Sequence, residues 1–336
     1  MQKGIKFFKK PQLVNPVLIV AWPGMGEVAL KSAGYLVEKL KFERFAELSS
    51  SEYFYPTASS IKNGVLKTKG LPQNYFYYWK NQGLKANPKI KANDIIIFLS
   101  NTQPDLARAA DYTQSILEVA NFYKVKSIIG FAAMPAPIDH TQKPGVWLTA
   151  TDKELLKQLQ GHELKMMSEG EISGMNGLFL GLANKAGFSG LCLLGEIPIY
   201  TIQIENPKTV FAILERLKGI LSLPLDLSEL DKQAHFIEGE INKLVDYLKE
   251  GIGLSSIGAG PGPISDAEME KIKKSLTQLT RLPQSIKEKI EKLFELARND
   301  VTKANELKQE LDKWGAYKEY EDRFLDLFKK PKEKGN

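Results

Sequence analysis

Residues 172–204, ISGMNGLFLGLANKAGFSGLCLLGEIPIYTIQI, constrain the fold more than any other stretch. They read as a tight glycine turn, a helix from about 176 to 186, a second glycine-set turn, and a strand over 189–194. A strand as apolar as Leu191-Cys192-Leu193-Leu194 has no polar face, so it belongs inside a sheet covered on both sides. Gly195-Glu196-Ile197-Pro198 predicts an abrupt break at its carboxyl end. That end is where open α/β sheets keep their crevices.

The rest of the chain repeats this logic. Residues 17–22, VLIVAW, form a buried strand between Pro16 and Pro23, and Val28, Ala33, Leu36, Val37 and Leu40 share one stripe of the helix that follows. A strand over 42–48 completes a β-α-β opening of the doubly wound kind. Residues 53–79 are short, aromatic and turn-punctuated, with Asn63-Gly64 as a hairpin signal, which predicts an antiparallel insert. Strands at 95–99, 127–133 and 146–149 alternate with helices at 104–123 and 152–159; the second strand ends in a loop over 134–137. After the central stretch come a strand at 199–204, a helix at 207–222 opening on Pro207, and a helix at 227–248.

Alternation of this length implies a three-layer α/β/α sandwich over residues 1–252, rich in parallel strands. The run 251–263, GIGLSSIGAGPGP, holds five glycines and two prolines and leaves little to pack, which places a linker at 253–264. Ser265-Asp266-Ala267-Glu268 then forms a capping box. Helical spacing follows in Met269, Ile272, Leu276 and Leu279, in Ile286, Ile290, Phe294 and Ala297, and in Leu307, Leu311 and Trp314. Residues 265–330 therefore read as a helical C-terminal domain or an oligomerisation arm.

Composition removes several classes of function. The charge of +6 arises from 46 basic and 40 acidic residues, mostly interleaved, and no long Lys/Arg block that would make a nucleic-acid stripe occurs outside the ends. Cys192 is the single cysteine, so no intrachain disulfide forms, and within LCLL it packs as a small hydrophobe. His140, His162 and His235 are scattered and form no HExxH pattern, so no metal site is expected. No apolar run reaches membrane-spanning length and the start, MQKGIKFFKKPQ, lacks a signal-peptide core, which makes the cytoplasm the expected compartment.

A family resemblance is carried by Gly174-Met175-Asn176-Gly177-Leu178 followed by Leu193-Leu194-Gly195-Glu196-Ile197-Pro198. This pair resembles the signature of the proteasome assembly chaperone family, the type-2 subunit and its prokaryotic relatives. Ala21-Trp22-Pro23-Gly24-Met25-Gly26 is similar to the family's Gly-Trp-Pro-type start, with Ala21 as a departure, and residues 144–151, PGVWLTAT, resemble its short strand before a helix. The likeness spans roughly residues 15–250. It implies a sandwich akin to the nucleoside phosphorylases and a protein partner, proteasome α-rings being that of the best-known members. Those members end in a hydrophobic–tyrosine–any-residue tripeptide, whereas the sequence here closes on Lys334-Gly335-Asn336, with Tyr320 inside a predicted helix. The resemblance therefore speaks for the fold and a protein partner more than for that docking device.

Seven residues are candidates for a ligand site: Gly24, Met25, Gly26, Asn101, Asn176, Gly195 and Glu196. Gly24, Gly26 and Ala29 match G-x-G-x-x-A between a strand and a helix, which serves either as an anion cradle or as a tight turn with close helix packing. Glu47 ends the second strand, about where a ribose-binding acid sits in a dinucleotide fold. Glu196 is either a pocket carboxylate or an acceptor for N–H groups of the turn after Gly195, and Asn176 either caps its helix or faces a ligand. Asn101-Thr102-Gln103-Pro104 and residues 134–137 end two further strands and should face the same crevice. Lys31-Ser32 is no Walker motif, Ser189 misses the nucleophile elbow because residue 191 is leucine, and Asp139-His140 reads as a solvated loop pair. No catalytic triad and no cofactor emerge.

The aromatics Tyr53, Phe54, Tyr55 and 75–79 suit core or a subunit interface better than a nucleic-acid platform, since basic residues are not densely interleaved with them. The expected function is thus an assembly-chaperone-like protein acting through protein contact, as a homo-oligomer. The alternative is a binder of a nucleotide or nucleoside, or an enzyme, using the strand-end crevice.

Overall fold

The computed structural model describes residues 4–55, 59–62, 64–68, 70–81, 94–159, 162–251, 284–300, 303–313 and 317–328. The expected linker, the capping box at Ser265 with its helix, Trp314 and Lys334-Gly335-Asn336 lie outside the described residues. The backbone divides into two units, one up to Ala234 and one from His235.

The first unit is built on one sheet of nine strands in the order β1-β3-β6-β7-β2-β8-β11-β9-β10. These are β1 (Ile5–Phe7), β2 (Val17–Ala21), β3 (Glu43–Leu48), β6 (Asn74–Trp79), β7 (Ile95–Ser100), β8 (Ile128–Ala136), β9 (Val146–Ala150), β10 (Lys165–Met166) and β11 (Gly190–Pro198). The central four, β7, β2, β8 and β11, run parallel, and β6, β3, β1 and β9 pair antiparallel at the flanks. Two strands, β4 (Ser59–Lys62) and β5 (Val65–Thr68), form a hairpin of their own.

The central strands are apolar because alternate side chains enter different cores. Val17, Ile19 and Ala21 of β2 join a core with residues of α1 (Val28–Lys39) and α5 (Pro207–Leu221). Leu18, Val20 and Trp22 join the opposite core, with α2 (Ala109–Phe122) and α4 (Met175–Lys185). The result is the expected α/β/α sandwich. A short α3 (Lys153–Gln158) follows β9, its start capped by the Asp152 carboxylate, which accepts from the Leu155 N–H at 2.8 Å. The helix α6 (Ser228–Gly251) succeeds α5. In the second unit α7 (Gln284–Asn299), α8 (Ala304–Lys313) and α9 (Tyr317–Asp326) share a core of Ile290, Phe294, Ala297, Leu307, Leu311 and Phe324.

Four local expectations change. First, β11 does not break at Gly195: it stays paired with β8 as far as Pro198, opposite Ala136. The glycine serves close packing, since a Cβ there would lie 2.3 Å from Thr209 Cγ2 and 2.9 Å from Ile213 Cδ1 of α5. Second, residues 199–204 form no strand. Thr201 Oγ1 donates to the Pro198 carbonyl at 2.9 Å and Asn206 Nδ2 to the carbonyls of Thr201 and Ile204, closing a short turn. Third, β6 is no insert; it lies in the main sheet between β3 and β7, with Phe76 buried. Fourth, the 134–137 loop begins later, because β8 continues through Met134 and Pro135.

Candidate functional site

A cavity of about 410 Å³ opens at the carboxyl ends of β2, β8 and β11. Its walls come from the turn into α1 (Pro23, Gly24, Met25), from Ala132–Pro135 of β8, from Gln103 and Leu106 beyond β7, and from the segment 171–176 that leads into α4. Crevice formation here follows from topology, because the helices after the neighbouring strands β2 and β7, α1 and α2, leave toward opposite faces of the sheet.

Two amide side chains hold this end of the molecule together. Asn176 is buried in the first turn of α4, and Gly174, at φ 69°, makes the turn before it. The asparagine therefore does not cap its own helix. Its Oδ1 accepts from the Trp22 N–H at 3.0 Å, and its Nδ2 donates to the Trp22 carbonyl at 3.1 Å. Gln103 acts alike: Nε2 donates to the Pro23 carbonyl at 2.6 Å and Oε1 accepts from the Met175 N–H at 3.0 Å. A parallel sheet's last residue has no ladder partner beyond it, so these amides supply the bonds that Trp22 and Pro23 would otherwise lack. Behind them the Trp22 Nε1–H donates to Tyr112 Oη, which donates to Asn74 Oδ1, and burial holds the Tyr112 hydroxyl well above its ordinary pKa.

The glycine motif is explained by packing. A Cβ on Gly24 would meet Asn176 Nδ2 at 3.1 Å, and Gly26, at φ 60°, would meet Asn206 Nδ2 at 2.7 Å. The Gly26 N–H donates to the Ile202 carbonyl at 2.7 Å and the Glu27 N–H to the Gly24 carbonyl at 3.0 Å, so both amides are engaged. Glu27 adds a carboxyl at the start of α1, its pKa raised chiefly by burial. Backbone donors already in use, beside an acid, make a poor phosphate cradle. Glu47 is also far from a ribose position, since β7 and β6 stand between β2 and β3.

Of the other candidates, Met25 sits exposed on the crevice rim. Asn101 faces elsewhere; its Oδ1 accepts from the Gln73 N–H at 3.0 Å, tying the end of β7 to the start of β6. Gly195 lies under α5. Glu196 is buried at the β9 side, where its carboxylate accepts from the Gly145 N–H at 2.7 Å, Trp147 Nε1 at 2.7 Å and Lys165 Nζ at 3.0 Å. Burial pushes this carboxyl up, and the donors together outweigh it, so it titrates below the ordinary carboxylate value. The crevice thus gathers Gly24, Met25 and Asn176, and leaves Gly26, Asn101, Gly195 and Glu196 outside.

His140 is not the solvated residue expected: its side chain is mostly buried, with Nδ1 2.7 Å from Tyr200 Oη. Cys192 is fully buried, which pushes its thiol up to about 12 and leaves it unreactive in the folded state. Among the described residues no three His, Cys, Asp or Glu groups stand close enough to hold a metal, and no helix is long and apolar enough to cross a membrane. The partners Trp147, Lys165 and Tyr200 had no signal in local spacing, because each acts across a long stretch of chain, whereas Gln103 lies in the strand-end stretch 101–104 expected to face the crevice, and it does line it.

The sandwich and its clamped strand end define a class. The chain belongs to the PAC2 family, whose profile matches residues 18–245. An uncharacterized protein of Methanocaldococcus jannaschii is 30% identical over 247 residues, which are 71% of this chain and 86% of that protein. The crystal structure of Pyrococcus furiosus PbaB, an archaeal proteasome activator, is similar with a TM-score of 0.60 and 27% identity, over 71% of this chain and 97% of that one. Pyrococcus furiosus PbaA, an archaeal homolog of proteasome-assembly chaperone, shares the fold with a TM-score of 0.55 and 23% identity, over 74% of this chain and 94% of that one.

Proposed function

We propose that this chain is an assembly-chaperone-like protein that acts by protein contact, with a proteasome-type α-subunit as partner. Family membership and the likeness to PbaB and PbaA support the reading. The observation that carries it is the use made of the crevice's amides. Asn176 and Gln103 are both engaged with backbone groups, and exposed Met25 and Leu106 stand at the mouth beside half-buried Met134. Small-molecule sites need a few polar groups aimed at the ligand. Exposed Glu171 and Ser173 also line the cavity, but the methionines and leucine of its mouth suit the apolar side chains of a protein surface, to which flexible methionines adapt.

The test is sedimentation of the purified chain with isolated proteasome α-subunits. A co-sedimenting complex at micromolar concentration is expected, weakened by Leu106→Glu at unchanged melting temperature; the run with the chain alone reads the homo-oligomer. No complex at tenfold higher concentration, with a nucleotide or nucleoside raising the melting temperature by mass action, would favour the small-molecule reading instead.

A further inference from the structure

The flank of the sheet formed by β1, β3 and β6 carries a concentration of cations: Lys6, Lys9 and Lys10 stand close together in the sequence, and the sheet brings Arg44 beside them. Arg44 of β3 lies between two rings, with Cζ 5.3 Å from the Phe8 centroid and 4.4 Å from the Tyr75 centroid. Lys6 Nζ stands 5.7 Å from the Phe8 ring on the same side. On the other face of the sheet Lys10 Nζ lies 5.4 Å from the Phe7 ring and 5.7 Å from the Phe122 ring, and Lys9 lies 5.6 Å from the Tyr78 ring. Lys9 is ion-paired with Glu43. Among the described residues Lys6, Lys10 and Arg44 form no ion pair; Glu47 stands across from Lys6 in the strand register without making one. Exposed Lys80 and Lys124 add to the same flank. Phe8 and Phe122, at 45% and 51% exposure, leave large apolar area beside these charges.

Between the two rows of cations runs an open strand edge. Among the described residues β1 is the terminal strand of the sheet and pairs only with β3. Gly4 O accepts from the Ser49 N–H at 2.7 Å and the Phe8 N–H donates to Phe45 O at 2.8 Å, which fixes the parity of the ladder. Residues 4, 6 and 8 bond inward, so the backbone N–H and C=O groups of Ile5 and Phe7 point to the open side.

We propose that this edge is a docking site for an extended acidic segment of a partner protein, added as a further strand beside β1. Charge complementarity identifies the occupant: carboxylates on both faces of an added strand would meet Lys6 and Arg44 on one side and Lys10 on the other. Peptide recognition by strand addition takes affinity from main-chain bonds and selectivity from the flanking side chains. Nucleic acid suits the surface less well. Single strands bind by stacking bases on free aromatic faces, and here the rings of Phe8, Tyr75, Phe7 and Phe122 already face a cation. What Arg44 still offers is the N–H rim of its guanidinium, which matches a carboxylate. Lysines on an edge also discourage pairing with a like strand, but Arg44 sits one strand further in, where that purpose does not call for it.

The inference does not depend on the α-subunit reading, and its test uses a different probe. Fluorescence anisotropy of labelled octaglutamate with the full chain should show saturable binding that weakens steeply as salt is raised. The double variant Lys10→Glu with Arg44→Glu should bind about tenfold more weakly or worse. With the wild-type chain, octaglutamate N-methylated at every backbone amide should bind more weakly than the unmodified peptide, because no strand donor is left on either edge. No binding of octaglutamate, or binding indifferent to the charge reversal, would overturn the proposal and leave the lysines as guards against self-pairing. Equal binding of the methylated peptide would overturn strand addition, and tighter binding of a single-stranded oligonucleotide would overturn the choice of a peptide.

Discussion

The two flanks of the sheet use charge in opposite ways. Beyond β11, Lys165 of the short edge strand β10 reaches over the Trp147 ring to a buried carboxylate, and that carboxylate also takes the Gly145 and Trp147 N–H groups. Every strong donor around Glu196 is answered within a few ångströms. At the β1 flank the rings are present again and the cations still lie over them, but no buried carboxylate answers Lys6, Lys10 or Arg44 among the described residues. A charge satisfied inside the fold contributes to stability and offers little to a partner. A charge held in place by an aromatic face and left without a counter-ion contributes little to stability and remains available for binding. The difference is one of wiring rather than of residue type, and it separates into substitutions that damage folding and substitutions that damage recognition.

The largest effect belongs beside Glu196. Gly195→Val places two methyl groups where even a Cβ would stand 2.3 Å from Thr209 Cγ2, so α5 must shift off the sheet. Overpacking of this kind costs about 3 kcal/mol or more. In a unit of this size a loss of 1 kcal/mol lowers Tm by about 2–4 °C. A thermal melt should therefore fall by roughly 6–12 °C. A melt unchanged by Gly195→Val would mean that α5 does not press on β11, and the closed flank would lose its main structural support.

Next in size is Glu196→Gln. The amide keeps one acceptor oxygen and turns an NH₂ group toward donors that formerly met a carboxylate, which costs about 2 kcal/mol. The Lys165 pair contributes the smaller part, since Lys165 is 54% exposed and water screens it. The sign of the pH dependence follows from the depressed pKa. Stability from Glu196 is fully present above the unfolded carboxylate value of about 4.3 and is lost as pH falls through the lower folded value. Melts of wild type and Glu196→Gln should differ by a constant amount from neutral pH down to about 5, and converge below about 4. Curves that stay parallel into the acid range would show that the carboxylate is not the group being lost.

This contrast explains what could be read in the sequence. The strands at 17–21, 95–99 and 190–194 announce themselves because a doubly covered strand must be apolar along its whole length, and Pro207 marks the start of α5 by itself. Gly195 was legible as a position that needs glycine but not as the reason, since a turn and a close helix approach demand the same residue. The alternation in 199–204 resembles a strand, yet the side chains of Thr201 and Asn206 bond to nearby carbonyls and close the segment into a turn. Long-range wiring left no local trace. Lys165 lies 31 residues from Glu196, and β10, at two residues, is too short to carry a period. The aromatic run at 75–79 showed no interleaved cations because the cations come from β1, β3 and the turn after β1.

The smallest expected effect on folding is at the open flank, and it is the sharpest test of the contrast. Lys6→Gln combined with Lys10→Gln removes two charges, each held, among the described residues, by cation–ring contacts at the surface. Exposed contacts of that kind are worth about 0.5 kcal/mol, and relief of repulsion among Lys6, Lys9, Lys10 and Arg44 acts in the opposite sense. The two effects should nearly cancel, leaving stability within about 0.5 kcal/mol of wild type in a urea titration. Glutamine retains most of the length over the rings, so packing is kept while the charge goes. If this flank were wired like the Glu196 flank, the loss would exceed about 2 kcal/mol, because buried donors or acceptors would be left without partners. A midpoint that holds still while octaglutamate binding weakens separates recognition from folding at β1. A midpoint that drops as far as it does for Glu196→Gln would mean that these lysines have acidic partners within the fold, and the distinction between the two flanks would fail.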